Sequence, residues 1–502
     1  MSGKAKFAAD IVLPGMLCAR ILRPPAHGAK FKSADTSAAA KAGVLVVKDG
    51  DLVAVLHERW DVADDALKLV KGVYEPAAPG ADDKTIFDYM QKHGVPPKLV
   101  AEKGNISEGE KLSAEVVENT YLASYVAHAP MEPHAAVAVM DGDRVTVWAS
   151  TASPFKTKVQ VAQGLGVAED RVRIITPYVG GAFGGKTYSQ QAVEAARLAR
   201  ATGKPVQVLW DRAEEFFYDV FRPAAVVKIR SGLTAEGKIA SWDFKVWGAG
   251  DRDVMPSFYD IPHRRAISSH TFELNHPSGM HPLFIGLWRG PSANTNTHAR
   301  ESHMDLLANK VGVDPVEFRM KHVSDPRMRR VIEAAAKQFG WKPGKAPSGR
   351  GQGVSCGMYW ETRVVSMAEV EVDKSTGRVR VKRVVLAMDQ GLTLNPEGTL
   401  QQMEGCVTMG LGYALAEEIR FKDGQVGDRN FDTYEIPRFS WLPKIETVVI
   451  DNPNEPQLGN GEPAIINSGS VIANAIFDAV GVRLFQIPMT PARVKSAIER
   501  AG

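Results

Sequence analysis

Cysteine is scarce in this chain: Cys18, Cys356 and Cys406 are the only three in 502 residues, and they lie far apart. No C-x-x-C pair exists, which argues against a cysteine-held zinc site or iron–sulfur cluster within the chain. Each cysteine is expected as a small buried apolar residue. The twelve histidines show no H-E-x-x-H or other metal-ligand spacing, so no metal ligand is expected among the side chains. Neither sign of charge dominates. With 61 basic and 58 acidic residues and a net charge of +3, there is no electrostatic case for nucleic acid or an anionic membrane. No apolar run reaches the length of a membrane span. The start, Met-Ser-Gly-Lys-Ala-Lys, has no apolar h-region and no visible export signal. The default expectation is a cytoplasmic location, or a periplasmic one if a signal-bearing partner carries the chain out. No repeat of fixed period is present.

Hydrophobic residues at 44% and charged residues at 24% are ordinary for a soluble globular protein. The length predicts roughly two to four domains. Residues 1–75 carry β-like runs at 43–47 and 52–56 and an alanine-rich helical stretch at 62–71, and read as a small α+β unit. A Pro/Gly/Ala/Asp-rich stretch, 76–100, reads as a linker. A mixed α/β region follows at 101–341, with a helix around 298–310 and another opened by Asp314-Pro315. Residues 342–353 form a second Pro/Gly-rich boundary. The last unit, 354–502, begins with strands at 364–385 and has helices at about 400–418 and 470–480. The predicted fold class is α+β.

The stretch with most chemical content is Gly180-Gly-Ala-Phe-Gly-Gly-Lys-Thr187. It fits the phosphate-binding pattern G-x-x-x-x-G-K-[ST] residue for residue. A β-branched run, 171–179, precedes it, and a helical pattern with Ala192, Val193, Ala196 and Ala199 on one face follows. A later strand ending in Asp211 could imitate a magnesium-binding aspartate. Glycines let backbone N–H groups approach an anion closely whether the ligand is a nucleotide or another cofactor. A plain strand-to-helix turn without ligand is the third alternative. The loop alone leaves all three open.

Other stretches break the tie. Lys6-Phe-Ala-Ala-Asp-Ile-Val-Leu-Pro-Gly-Met-Leu17 and His128-Ala-Pro-Met-Glu-Pro133 precede the loop. Leu287-Trp-Arg-Gly290, Glu301-Ser-His-Met-Asp305, Asp389-Gln-Gly-Leu-Thr-Leu-Asn-Pro396, Gln402-Met-Glu-Gly405 and Gly461-Glu-Pro463 follow it. In this order they resemble the xanthine oxidase family of molybdenum hydroxylases along almost the whole chain. The nearest branch is the molybdopterin-binding large subunit of isoquinoline 1-oxidoreductases and aldehyde oxidoreductases. The resemblance implies a hammerhead-type domain at 1–75 and two molybdenum-cofactor-binding domains at 101–341 and 354–502.

It also implies roles. Glu462, held between Gly461 and Pro463, matches the glutamate that acts as base beside the molybdenum. Gly181, Ala182, Phe183 and Gly184 would approach the cofactor through backbone amides. Arg289 matches an arginine near the metal ligands, and Gln402 a glutamine that contacts the pterin. His128 and Glu132 are expected to be structural anchors. The implied cofactor is molybdenum-molybdopterin in a dinucleotide form, and the implied reaction is hydroxylation of an aldehyde or N-heterocycle with oxygen from water. Two electrons then leave through [2Fe–2S] clusters, which three dispersed cysteines cannot hold, so an iron–sulfur subunit is the expected partner. Thr187 stands where purine-oxidising members carry a glutamate, which weakens a xanthine-type substrate. The branch often ends its loop in basic residues rather than Gly-Gly-Lys. The family's pterin-binding Gly-Gln-Gly segment before the hammerhead has no counterpart, because Gly351-Gln-Gly353 aligns elsewhere. A second polypeptide completing the molybdenum site is therefore expected. The competing classes are a P-loop nucleotide hydrolase and a non-catalytic scaffold subunit of the same fold.

Overall fold

The computed structural model describes residues 3–76, 80–270, 279–344 and 349–501. Two of the expected linkers therefore fall partly outside the described residues, at 77–79 and 345–348.

A seven-stranded sheet has the spatial order Val172–Ile175, Arg144–Ala149, Ala135–Asp141, Val206–Leu209, Leu17–Ile21, Leu52–His57, Leu45–Asp49. The strand Leu17–Ile21 pairs in parallel with Val206–Leu209, Leu17 opposite Val206. Three strands from the first 75 residues thus join a sheet with strands from 135 to 209, while Ala39, Val44, Val53, Val55, Ala66 and Val70 form a core of their own and Lys30–Asp35 pairs with Lys71–Glu75 in a separate two-stranded sheet. The helix Gln190–Thr202 lies on this sheet with Ala192, Ala195, Ala196 and Ala199 buried. Small side chains on that face let the helix axis come close to the strands. Within the 76–100 stretch, Ile86–Lys92 is a helix whose Ile86, Phe87 and Met90 are buried, so much of that stretch is packed structure.

A six-stranded sheet follows, in the order Gln486–Ile487, Glu115–Ala123, Ala225–Leu233, Ile239–Trp247, His263–Ser269, Lys98–Lys103. Its first strand comes from the far end of the chain. A four-stranded sheet is built from Arg350–Tyr359, Thr362–Asp373, Arg378–Asp389 and Lys444–Val449. The helix Ser468–Val480 covers this sheet and packs against the helix Ala293–Lys310, so one apolar core runs through both large regions. Gly351 and Gly353 lie in the strand Arg350–Tyr359, not in a linker. A Cβ at either would fall 2.1 and 2.2 Å from the carbonyl oxygens of Ala475 and Val471. Their missing side chains let helix and sheet touch, which explains the Gly-Gln-Gly letters without a ligand.

The segment Pro463–Val480 is long and apolar enough to cross a membrane by composition, contrary to the expectation that no run of that kind is present. It is mostly buried in the core just described. The three cysteines are buried and unpaired.

Candidate active site

Three loops meet at one place: 180–187 after the strand Val172–Ile175, 287–290 before the helix Ala293–Lys310, and 460–463 before Ser468–Val480. In the first loop the backbone turns through positive φ at Gly181 (99°), Phe183 (52°) and Gly184 (118°). Phe183 is the exception in this loop to the rule that only glycine visits this region freely, and the residue is 42% exposed. A Cβ on Gly184 would lie 2.1 Å from the Leu287 carbonyl oxygen, so the first two loops touch backbone to backbone.

That contact is held by His128. Its ring nitrogens meet the Asp219 carboxylate at 2.9 Å and the Leu287 carbonyl at 2.5 Å. Both partners are acceptors, so the ring serves both only as imidazolium. Burial opposes the charge, but the attraction of Asp219 prevails and the pKa is raised. Glu132 closes the glycine loop on itself: one oxygen accepts from the Gly180 N–H and from the Lys186 ammonium, each at 2.7 Å. His128 and Glu132 are thus positioned as anchors. Asp219, which completes the His128 tether, carries no signal in the sequence.

The Lys186 side chain is fully buried, in a single turn of 3-10 helix, Gly185–Thr187. A P-loop lysine must reach out to phosphates. This one is turned inward onto Glu132, and the nucleotide-binding alternative fails on that orientation. The amides of Gly181, Ala182, Phe183 and Gly184 remain available: they donate to none of the described residues.

Arg289 ties the three loops together. Its N–H donates to the Phe183 carbonyl at 2.9 Å. Its guanidinium donates to the Gly461 carbonyl and to the Gln402 side-chain oxygen, both at 2.8 Å. The next amide, Gly290 N–H, donates to Glu462 Oε1 at 3.2 Å. Asn294 Nδ2 donates to the Arg289 carbonyl at 3.0 Å and fixes the turn from the helix side. Glu462 is only partly buried and opens the 3-10 turn Pro463–Ile465, where the proline sets the backbone. Gln402 lies in the first turns of the helix Pro396–Leu415, whose start is capped by Asn395 accepting from the Gly398 N–H at 2.9 Å. Behind them, the Cys406 thiol is pushed up to about 11 by burial and stays neutral while donating to the Gly461 carbonyl at 3.5 Å.

Every residue singled out at the site in sequence, namely Gly181, Ala182, Phe183, Gly184, Arg289, Gln402 and Glu462, lies on these three loops or the adjoining helix. Sequence reasoning missed Tyr359. It is buried beside Glu462, and burial followed by the Glu462 carboxylate pushes its phenol up to about 12.

The donor set fits an anionic, multiply hydrogen-bonding cofactor: four successive amides without acceptors among the described residues, a side-chain amide on a helix start, and a guanidinium already fixed in place. What lies within reach besides these is a carboxylate able to exchange a proton.

Comparison with known proteins agrees with that donor set. A model of the molybdopterin cofactor-binding domain matches residues 91–323, and a second model of the same description matches 293–443. A nicotinate dehydrogenase subunit of Pseudomonas putida is 31% identical over 100% of this chain and 46% of its own length, so the chain spans less than half of that relative. The beta subunit of isoquinoline 1-oxidoreductase from Brevundimonas diminuta is 27% identical over 100% of this chain and 68% of its own. Among solved structures, quinoline 2-oxidoreductase from Pseudomonas putida 86 superposes with a TM-score of 0.85 at 18% identity, covering 99% of this chain and 96% of that one. Aldehyde oxidoreductase from Desulfovibrio gigas gives 0.84 at 18% identity, covering 99% and 79%. At that identity these two share the fold.

Proposed function

The chain belongs to the xanthine oxidase family as a molybdopterin-binding subunit, and from that premise we propose that it is the catalytic subunit of an oxidoreductase that hydroxylates an aldehyde or an N-heterocycle. One observation carries the proposal: Arg289 and Gly290 bind the glycine loop, Gln402 and the Glu462 loop into a single frame, with the Glu462 carboxylate left partly open. A molybdenum-bearing pterin held there supplies the two-electron redox chemistry. The chain's residues supply the rest. The amides at 181–184 and the Gln402 side chain bind and orient the group. Glu462 takes the proton from the water-derived oxygen as it attacks the substrate carbon. The Gly290 N–H aims the carboxylate, and the rigid turn at Pro463 keeps it from swinging away. The same reading gives the cofactor a dinucleotide form and sends the electrons to [2Fe–2S] clusters on an iron–sulfur subunit. Met131, Tyr178 and Phe183 are exposed around the glycine loop, and apolar exposure beside a cofactor loop supports a second polypeptide seated there.

The test is compositional and direct. The protein purified with its partners is expected to contain molybdenum and a pterin, and iron on a separate chain. Absence of pterin together with tight ATP binding would overturn the proposal in favour of a nucleotide-binding protein.

A further inference from the structure

The hairpin between Arg350–Tyr359 and Thr362–Asp373 turns through Trp360 and Glu361, with φ of 49° and 61°. Neither residue is of the glycine or asparagine type that usually fills such a turn, so two side chains are held in a disfavoured backbone region. The result is an indole presented outward, 59% exposed. Arg252 lies over it, its guanidinium carbon 4.2 Å from the ring centroid. The Arg252 side chain is exposed, and among the described residues it forms no ion pair.

Its backbone, by contrast, is fixed. Asn296 Nδ2 donates to the carbonyls of Gly250 and Arg252 at 3.1 and 2.8 Å. The next residue, Asp253, is ion-paired to Arg300 at 2.9 Å. Asn296 and Arg300 belong to the helix that starts just after Arg289 and Gly290. Arg252 also lines a cavity of about 60 Å³ with Leu287, Pro291 and Ser292, which flank those two site residues. Tyr359, next to Trp360, lies in the fields of both Glu462 and Arg252. A guanidinium with no ion-pair partner among the described residues therefore stands beside the hairpin that carries Tyr359 to Glu462.

Resting on Glu462 as the base, the geometry points to Arg252 as a specificity residue that receives a carboxylate carried by the substrate, away from the carbon that is hydroxylated. A guanidinium stacked on an indole keeps its planar edge free, and that edge matches a carboxylate with two parallel hydrogen bonds. A neutral substrate of the same shape gains nothing from it. A positive charge here also raises the local concentration of anions.

The experiment uses the purified assembly and two pairs of probes. Benzaldehyde and para-carboxybenzaldehyde are compared as substrates, and benzoate and benzamide as non-reacting ligands by calorimetry. In Arg252→Gln, KM for the carboxylated aldehyde is expected to rise ~10–100-fold, as for loss of charge-assisted hydrogen bonds, while KM for benzaldehyde moves less than about threefold. Benzoate affinity falls by the same factor as the carboxylated KM rises, and Arg252→Lys recovers part of it. Equal changes for both aldehydes, or wild-type protein that binds benzoate no better than benzamide, overturn the inference. If neither aldehyde is turned over, the aldehyde half of the proposed function is overturned and the N-heterocycle half stands, while the benzoate titration still decides the role of Arg252.

Discussion

Glu301 and Glu462 are a helix-borne and a loop-borne carboxylate on elements that adjoin the same core, and their surroundings are opposite. Glu301 is fully buried in the helix Ala293–Lys310. Its oxygens accept from Arg300 Nε at 3.1 Å, Arg319 Nε at 2.9 Å, the Tyr259 hydroxyl at 3.0 Å and the Cys356 N–H at 3.1 Å. A carboxylate accepts about four hydrogen bonds, so Glu301 is saturated. Glu462 has one backbone donor, the Gly290 N–H, with the Tyr359 hydroxyl beside it, and keeps contact with solvent. The difference separates two uses of the same side chain. A saturated, closed carboxylate locks helices together, while an under-occupied one on a rigid turn is available to take a proton.

Exchanging the two residues for glutamine should break this contrast cleanly, and it gives the largest effects. Glu462→Gln keeps shape and removes the base, so turnover by the assembly is expected to fall ~10²–10⁴-fold. Its molybdenum content and unfolding midpoint should stay at wild-type levels. Glu301→Gln should do the reverse. Removing the anion leaves Arg319 buried with only the longer Asp305 pair at 3.8 Å and Arg300 with Asp253 alone, which costs up to about 3–5 kcal/mol as judged from broken buried pairs. Denaturant midpoints and steady-state rates on the two variants check both halves. Retained activity in Glu462→Gln would end its assignment as base.

A second way to sharpen the contrast is to disturb the frame that aims Glu462 without touching the carboxylate. Gly184→Ala places a methyl 2.1 Å from the Leu287 carbonyl at a φ of 118°. Such a position costs an L-residue about 1–3 kcal/mol in backbone strain before the clash is counted. The glycine loop must move away from 287–290, taking the 181–184 amides out of register with Arg289 and Gln402. The expected outcome is an assembly that forms but has lost most of its molybdenum and pterin, measured on the purified complex. Normal cofactor content in Gly184→Ala would show that the amides are not the cradle.

The sequence alone exposes one side of this contrast far better than the other. Glu462, Arg289, Gln402 and the glycine loop stand in short stretches with their own punctuation, Gly-Glu-Pro and Gly-Gly-x-Phe-Gly-Gly, and these stretches meet in the structure. The direction of Lys186 is not legible, because the letters of the loop are the same whether the ammonium faces a phosphate or Glu132. The helix carrying Glu301 is legible from 298, but it begins at Ala293. Its first turns bury Asn294, Thr295, Asn296 and Thr297, so there is no apolar stripe to read. The sharing of one sheet by strands from 1–75 and 135–209 is equally hidden, since strand pairing across such a separation leaves no local pattern.

A third glutamate gives the smallest and most quantitative test. Glu417 is nearly as closed to solvent as Glu301, but among the described residues it has no cation in contact; its partner is the Tyr434 hydroxyl at 2.9 Å. Burial therefore pushes its pKa up to about 8, while the hydrogen bond from Tyr434 and the nearby charge of Arg222 pull the other way. The sign follows from linkage. Between the ordinary carboxyl range of about 4.5 and about 8, the folded state holds a proton that the unfolded state has released. Folding is thus favoured at the acid end, and this contribution is lost as the pH rises, at up to ~1.4 kcal/mol per pH unit. Glu417→Gln has no proton to lose and can still accept from Tyr434. The difference in unfolding free energy between variant and wild type should be near zero at pH 5 and should grow in favour of the variant toward pH 8, to about 1–3 kcal/mol. Denaturant unfolding of both proteins across that range reads the difference directly, because every other titrating group cancels. Parallel curves would mean that the Glu417 carboxylate is ionised in the folded protein, and that closure without a cation is not enough to set it apart from Glu301.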